Sequence, residues 1–500
     1  MTIKFATAHT DFYKKFHKFA YGEGITEVYS NYTSRSGKLS NTNSNEVVFV
    51  GLQYFIKDYL IDEWNTTFFS QPKDEVISRI KLICDSGLNM DYDVSHFEDL
   101  HDLGYLPIEI KALPEGVSVP YGVPPVTFKN THPNFSWLSN YIETAFSNEN
   151  WPIQTSATTA KEYLRAFTDS FTRTGGDLDM IPFMCHNFSA RGMFGRQAAA
   201  MADFGHLCSF AGTDTISGIL FAEEYYNANV EEELVGVSVP ATEHSTTTSY
   251  IMGMVEKKGI TKLEAEVEYV RYLFSKVPTG ILSHVSDSFD FWAFVNEGLV
   301  ELKEDILSRD GTFVIRPDSG DPVDILCGTI DEFGKGTTPE EKGLVECLWD
   351  LFGGTETEQG YKLLDSHIGA IYGDSITLER QAEIIKRLEA KGFVPNVVLG
   401  VGSYSYQYVT RDTHGSAVKA TSVVWDGDQV DVCKDPATDS KKKSAKGLLR
   451  VELEEGEYVL YDQQTPEQES QGELKTVFKD GILRVEHSLQ EIRERVKQSL

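Results

Sequence analysis

The chain predicts an α/β fold: an irregular α/β barrel with a flanking α+β domain built from both chain ends. Three observations carry this. Four short apolar runs in the middle of the chain each stop at charged or glycine-rich sequence. Helical periodicities alternate with those runs, as buried parallel strands and their crossover helices require. The two ends lack that alternation and mix short strands, helices and turns. The expected division is 1–155, a central barrel 156–405, and 406–500 packing with the first part.

Residues 158–172 put Ala160, Leu164, Phe167 and Phe171 on one helical face, with Gly175 and Gly176 as a stop. Residues 261–274 do the same with Leu263, Val267, Val270 and Phe274. Residues 378–390 use Leu378, Ala382, Ile385 and Leu388, and Gly392 reads as a C-terminal cap. The strand-like runs are Ile281-Leu282-Ser283-His284-Val285, Phe313-Val314-Ile315, residues 368–372, and Val397-Val398-Leu399. They lead into Ser286-Asp287, Arg316-Pro317-Asp318, Gly373-Asp374-Ser375 and Gly400-Val401-Gly402. Residues 235–239 read as a further strand. Functional groups gather at the C-terminal ends of such strands, so these endings mark the active-site mouth. In the C-terminal flank, 417–425 and 458–461 are strand-like and 489–496 is a charged helix.

A length of 500 residues exceeds one ordinary core. With 41% hydrophobic and 24% charged residues, wholesale disorder is excluded. The net charge of -30 repels polyphosphate chains, so no nucleic-acid partner is expected. Any phosphate site must be a local cluster of Arg and Lys. The charge runs at 231–233 and 441–443 read as solvated surface. The six cysteines form no C-x-x-C pair, which suits reduced thiols. The N-terminus lacks a signal-like apolar run, and no stretch of ~18 apolar residues occurs. A cytoplasmic protein with no membrane partner is therefore expected.

No G-x-x-x-x-G-K-[ST] loop exists, since the glycines at 328 and 334 have the wrong spacing. Gly400-Val401-Gly402 lacks the third glycine of a dinucleotide fingerprint. Neither HExxH nor a Cys/His cluster suggests zinc. Among positive signals, Arg316 and Asp318 follow an apolar run. Arg can clamp phosphate with its planar fork, and Asp can bind a ribose hydroxyl or a magnesium-bound water. The alternative is a surface turn with a local ion pair. Gly373-Asp374-Ser375 opens a helix and reads as an anion site or as plain capping by Ser375 or Thr377. Glu243-His244 reads as a general base or phosphate acceptor, or as a structural histidine. Asp287 could orient it. Phe188, Arg191 and Asp214 could form a slot for a flat base, with Phe188 stacking and Asp214 accepting from an amide.

Taken in order, these segments resemble the nicotinamide phosphoribosyltransferase family of type II phosphoribosyltransferases. The likeness runs through Asp11-Phe12-Tyr13-Lys14, Gly51-Leu52-Gln53-Tyr54, Leu106-Pro107-Ile108-Glu109-Ile110-Lys111-Ala112 and Gly212-Thr213-Asp214-Thr215. It continues through Ser238-Val239-Pro240-Ala241-Thr242-Glu243-His244-Ser245, Val285-Ser286-Asp287-Ser288, Ile315-Arg316-Pro317-Asp318-Ser319-Gly320, Thr410-Arg411-Asp412 and Lys434-Asp435-Pro436. Single motifs are unspecific, but their ordered sum is specific and spans nearly the whole chain.

The resemblance implies a homodimer with two active sites at the subunit interface, acting on nicotinamide and phosphoribosyl diphosphate. Phe188 and Tyr13 of the partner subunit would sandwich the nicotinamide ring. Asp214 would accept from the carboxamide, with Arg191 lining the pocket and Asp11, Ser238 and Ser283 also binding substrate. Arg316 and Asp318 would hold phosphate and ribose, and Asp374 the ribose hydroxyls. Gly373, Gly402 and Ser403 would approach the 5′-phosphate. Arg35, Arg411 and Lys419 from the partner would complete the phosphate cluster, with Lys434 nearby. His244 would be the family's phosphorylated histidine, coupling hydrolysis of the co-substrate ATP to synthesis, with Asp287 orienting it. His244, Asp287 and Asp318 form the implied catalytic set, and Mg2+ is the implied cofactor. Ser403 stands where the family's phosphate loop has a glycine, and Tyr404 follows, which alters how closely backbone can approach.

The chemistry suits that reading. Diphosphate leaves C1 of a ribose, so positive charge develops on the sugar ring, as in glycoside cleavage. The attacking pyridine nitrogen carries no proton, so no strong base is needed. Nicotinate would bring a carboxylate to the Asp214 carboxylate. At ~4 Å and an effective dielectric of ~20, such charges repel by roughly 4 kcal/mol before screening. Nicotinamide is therefore expected over nicotinate. The competing readings are a nicotinate phosphoribosyltransferase and a catalytically inactive binding homologue.

Overall fold

The structure is a computed structural model that describes residues 4–329, 336–373, 375–434 and 445–500. The backbone forms two compact units: Met1–Thr158, Leu220–Glu231 and Val409–Leu500 make one, and Thr159–Ile219 with Glu232–Tyr408 make the other. Leu220–Glu231 thus groups with the two chain ends, whereas the sequence places it in the central segment.

The unit built from both ends carries a seven-stranded antiparallel sheet. Its order is Asp428–Asp431, Ala417–Trp425, Ile25–Thr33, Val126–Asn130, Ile108–Ala112, Lys475–Lys479, Ile482–Leu483. N-terminal and C-terminal strands interleave, which ties the two ends into one sheet. Asn31 faces Lys419 and Thr33 faces Ala417 in the central pair. The core under this sheet is aromatic, with Trp64, Trp137, Tyr32, Tyr54, Tyr141, Phe49 and Phe55 fully buried.

His96 lies inside that core. One ring nitrogen is 3.2 Å from Tyr92 Oη, and the other has no partner among the described residues. Burial drives the imidazole pKa down to about 3. The folded state therefore keeps the ring neutral where the unfolded chain, near ~6.5, takes up a proton. More protons bound in the unfolded state means stability falls as pH drops below about 6.5, with roughly 3–5 kcal/mol lost by the time the folded value is reached. His96→Phe is expected to flatten this acid limb. Denaturant titrations at a series of pH values check it: parallel curves for the two proteins would exclude His96 as the source.

The other unit holds a six-stranded parallel sheet ordered Gly212–Thr213, Cys185–Asn187, Val398–Val401, Ile368–Tyr372, Phe313–Arg316, Leu282–Val285. Residues 237–241 bridge its two edges. Val237 pairs with Gly212 and Ala241 with Ser283, both parallel, and this closes the ring into an irregular barrel. The segment expected as a strand at 235–239 is thus reduced to isolated bridges. The expected periodicities appear as helices: the part of Glu143–Thr174 from residue 159 onward, Lys262–Lys276 with a Thr261–Glu264 capping box, and Leu378–Ala390 capped by Thr377. Gly392 follows the last of these at φ +76, the left-handed exit that glycine allows. Among the described residues, no helix is long and apolar enough to cross a membrane.

Candidate active site

The strand ends of the barrel converge on one mouth. Phe188 follows Cys185–Asn187, Asp214 follows Gly212–Thr213, and Asp287 follows Leu282–Val285. Arg316 ends its strand, Gly373 follows Ile368–Tyr372, and Gly402 and Ser403 follow Val398–Val401. Parallel strands deliver these residues to one rim because all their carboxyl ends point the same way.

On one side of the rim, Phe188 is fixed by its N–H donating to Val401 O at 2.9 Å. Its ring lies 4.7 Å from the His186 ring at an interplanar angle of 33°. His186 Nε2 is 2.9 Å from Asp214 Oδ1, and Ser238 Oγ donates to the same oxygen at 2.5 Å. Both protein partners therefore load one carboxylate oxygen, which leaves Oδ2 for a ligand. Burial raises the Asp214 pKa, but the bonds from His186 and Ser238 and the Arg316 charge outweigh it, so the net shift is downward. Asp214 is held as an anion. Ser283 is buried, and its hydroxyl has no partner among the described residues. Arg191 sits exposed on the turn Ala190–Gly192.

The opposite side is built for an anion. Arg316 Nε is buried with no hydrogen-bond partner among the described residues. A buried unpaired guanidinium nitrogen is costly unless something else fills its donor direction. Gly373 packs directly on this pair: a β-carbon there would lie 2.5 Å from Asp318 Oδ1 and 3.7 Å from Arg316 Cδ. Any larger residue would have to displace the Asp318 carboxylate. Gly192 packs likewise on the Ser403 side chain, which joins the Arg191 turn to Gly402 and Ser403. Asp374 lies outside the described residues.

His244 opens the helix His244–Lys258, with Glu243 and Thr246 forming a reciprocal capping box. His244 Nε2 is 2.9 Å from Asp287 Oδ1. The other Asp287 oxygen accepts from Asp318 N at 3.1 Å and from Ser319 Oγ at 2.6 Å. One carboxylate thus connects the histidine to the Arg316–Asp318 turn. His244 remains 46% exposed while Asp287 is 5% exposed, so the imidazole is open to a reactant and its anchor is not.

The remaining expected residues belong to the sheet unit. Asp11 Oδ2 accepts from Tyr13 Oη at 3.1 Å and from Thr144 Oγ1 at 2.6 Å. Lys14 pairs with Glu143 at 2.5 Å, and Lys15 donates to Thr7 O at 2.6 Å, so the segment behind Tyr13 is firmly anchored. The Tyr13 ring itself is 67% exposed. Arg35 Nε donates to Gly415 O at 2.7 Å. Partial burial lowers the Lys419 pKa, Glu143 opposes that, and the charges of Arg35, Lys434 and Arg411 add to the lowering. Four cations therefore share one locality on this unit.

Two features at the rim were not read from the sequence. His186 carries no motif, although it stands two residues before Phe188, the period that brings side chains to one side of an extended chain. Asp203, fully buried, accepts from Asn187 Nδ2 at 2.5 Å and Thr213 Oγ1 at 2.6 Å. Burial pushes its pKa up to about 7, against those two bonds and with the Asp214 charge adding. This carboxyl ties together the two strand ends that present Phe188 and Asp214.

Among the described residues, no group of three His, Cys, Asp or Glu side chains could hold a metal ion. Both oxygens of Asp287 are held by the protein, so any Mg2+ would be bound chiefly through substrate phosphates.

Comparison with known proteins agrees with this geometry. A family model described as the nicotinate phosphoribosyltransferase (NAPRTase) family matches residues 183–482. A protein of Acinetobacter baylyi named nicotinamide phosphoribosyltransferase is 48% identical, covering 98% of this chain and 96% of its own length. One of the same name from Xanthomonas campestris is 32% identical, covering 97% and 96%. Among solved structures, nicotinate-nucleotide pyrophosphorylase from Pyrococcus furiosus superposes with a TM-score of 0.56 at 16% identity, covering 99% of this chain and 95% of that one, a likeness of fold alone.

Proposed function

The chain belongs to the nicotinate phosphoribosyltransferase (NAPRTase) family, and on that premise we propose that it is a nicotinamide phosphoribosyltransferase. It joins nicotinamide to phosphoribosyl diphosphate, giving nicotinamide mononucleotide and diphosphate, a pentosyl transfer in NAD salvage. The observation that carries the choice of base is Asp214, kept anionic and turned by His186 and Ser238. An anion there accepts a carboxamide N–H and repels a carboxylate.

Phe188 stacks on one face of the pyridine ring, and Tyr13 of the partner subunit stacks on the other. Stacking and the Asp214 bond aim the ring nitrogen at C1, a near-attack arrangement that removes most of the orientational cost. The C1–N bond forms as the C1–O bond to diphosphate breaks. Arg316 takes phosphate oxygens, Asp318 the ribose, and Arg35, Arg411, Lys419 and Lys434 of the partner subunit surround the phosphates. Exposed aromatics on both units, Phe12 and Phe16 on one and Phe194, Tyr404 and Tyr408 on the other, suit burial between subunits of a homodimer. Mg2+, when bound with the substrate, would neutralise charge on the departing diphosphate. The free thiols suit a cytoplasmic location.

His244 serves ATP. With Nε2–H donated to Asp287, the Nδ1 lone pair is left to attack the γ-phosphorus; the N–P bond forms, the P–O bond breaks and ADP leaves. Product formation from nicotinamide and from nicotinate, with magnesium and with or without ATP, tests the reading. Nicotinamide is expected to lead in kcat/KM by at least roughly 100-fold, with ATP raising the rate. Preference for nicotinate would overturn the assignment of the base. No product from either base would favour a binding homologue.

A further inference from the structure

Behind the His244–Asp287 pair lies a buried polar chain that no step above uses. His284 is fully buried in the strand Leu282–Val285. Its Nε2 is 3.1 Å from Glu266 Oε1 on the helix Lys262–Lys276, and that carboxylate is 2% exposed. Its Nδ1 is 3.1 Å from Thr242 Oγ1, which also accepts from Val285 N at 2.9 Å. The ring is stacked against Phe313 at 6.2 Å and 18° and touches Phe294 at 5.5 Å. Both ring nitrogens have a partner, and it is these two bonds that distinguish one ring orientation from its flipped form.

Such a network is expensive in a barrel wall where a β-branched residue would pack without desolvation cost. Its position suggests what it does. Thr242 is two residues before His244, and His284 is three before Asp287. The segment bearing His244 is not a laddered strand. It meets its neighbour at one bridge, Ala241 with Ser283, supported by Thr242 N to Ser283 O at 3.0 Å and Ser283 N to Pro240 O at 2.9 Å. Side chains supply the register that a ladder would otherwise fix. We infer that Glu266, His284 and Thr242 are positioning residues that hold the His244 segment in register with the Asp287 strand, so that the histidine and its carboxylate meet. This rests on the reading of His244 as the phosphoryl acceptor.

The test uses the full-length enzyme and compares Thr242→Val, which removes the hydroxyl, with Thr242→Ser, which keeps it. The readout is the ratio of synthesis rates with and without ATP. Thr242→Val is expected to lower that ratio about tenfold, through lost alignment, while Thr242→Ser stays within about twofold of the parent. A folded Thr242→Val with an unchanged ratio would overturn the inference. So would equal losses with and without ATP, or a Thr242→Ser protein as impaired as Thr242→Val, because a merely structural role predicts those. If Thr242→Val does not fold, Glu266→Gln keeps shape and one bond and is expected to lower the ratio about threefold; an unchanged ratio there counts against the inference. If the parent enzyme shows no ATP effect, the phosphoryl-acceptor reading fails separately. Carbethoxylation of His244 by diethyl pyrocarbonate, followed by mass spectrometry, then decides. Several-fold faster labelling in Thr242→Val supports the positioning role, and equal labelling rejects it.

Discussion

Arg316→Ala is expected to lower kcat/KM for phosphoribosyl diphosphate by about 10³-fold, the loss of roughly 4 kcal/mol that removing one fixed cationic donor from a charge-bearing site produces. The side chain ends a barrel strand, its Nε is buried and unpartnered among the described residues, and its charge also acts on Asp214. Thermal stability should hold or rise, because the substitution removes an unsatisfied buried donor rather than a made bond. That separates a lost anion clamp from a damaged fold. Arg316→Lys should recover only part of the activity, since an ammonium cannot reproduce the planar fork. The same variant tests the shared site. Arg316 lies in the barrel unit and Lys419 in the sheet unit. If the proposed homodimer shares its sites between subunits, co-refolding Arg316→Ala with Lys419→Ala is expected to make about half the dimers mixed, each with one doubly defective and one intact site, so that about a quarter of parental activity returns. No recovery above the mean of the two variants would place both residues in a site made by one chain.

Sequence alone made the barrel legible where its strands are apolar runs. Phe313–Arg316 and Ile368–Tyr372 lie between layers and read as continuous hydrophobic runs. Cys185–Asn187 and Gly212–Thr213 did not, because each is very short and its residues are chosen for the rim rather than for a core. The helix Glu143–Thr174 is legible only from 158 onward, since Pro152 inside it signals a break that packing overrides. Asp214, Arg316 and His244 were legible because each follows an apolar run or belongs to a recognisable motif. His186, Asp203 and His284 were not, because a side chain whose role is to hold another has no signature until the partner's position is known. Ala417–Trp425 is legible over its full extent, but its pairing with Ile25–Thr33, nearly four hundred residues upstream, is a tertiary fact that no local pattern encodes.

Asp214→Asn should narrow the preference for nicotinamide over nicotinate by on the order of 100-fold, read as the ratio of the two kcat/KM values. Bare repulsion between carboxylates at contact is worth roughly 4 kcal/mol, but the Asp214 side chain is 47% exposed and solvent screens part of that, which brings the expected effect to roughly 2–3 kcal/mol. The geometry adds a reason beyond charge. His186 and Ser238 both approach Oδ1. In the variant they would hold the oxygen of the introduced amide in that place, and its NH2 would take the position of Oδ2. The group facing the substrate would change from an acceptor for a carboxamide N–H into a donor for a carboxylate oxygen. Nicotinamide should therefore lose in kcat/KM while nicotinate gains, a crossing that simple removal of charge would not produce. If both bases lose equally, Asp214 shapes the pocket without reading the substituent, and the discrimination must lie with Arg191 or Ser283.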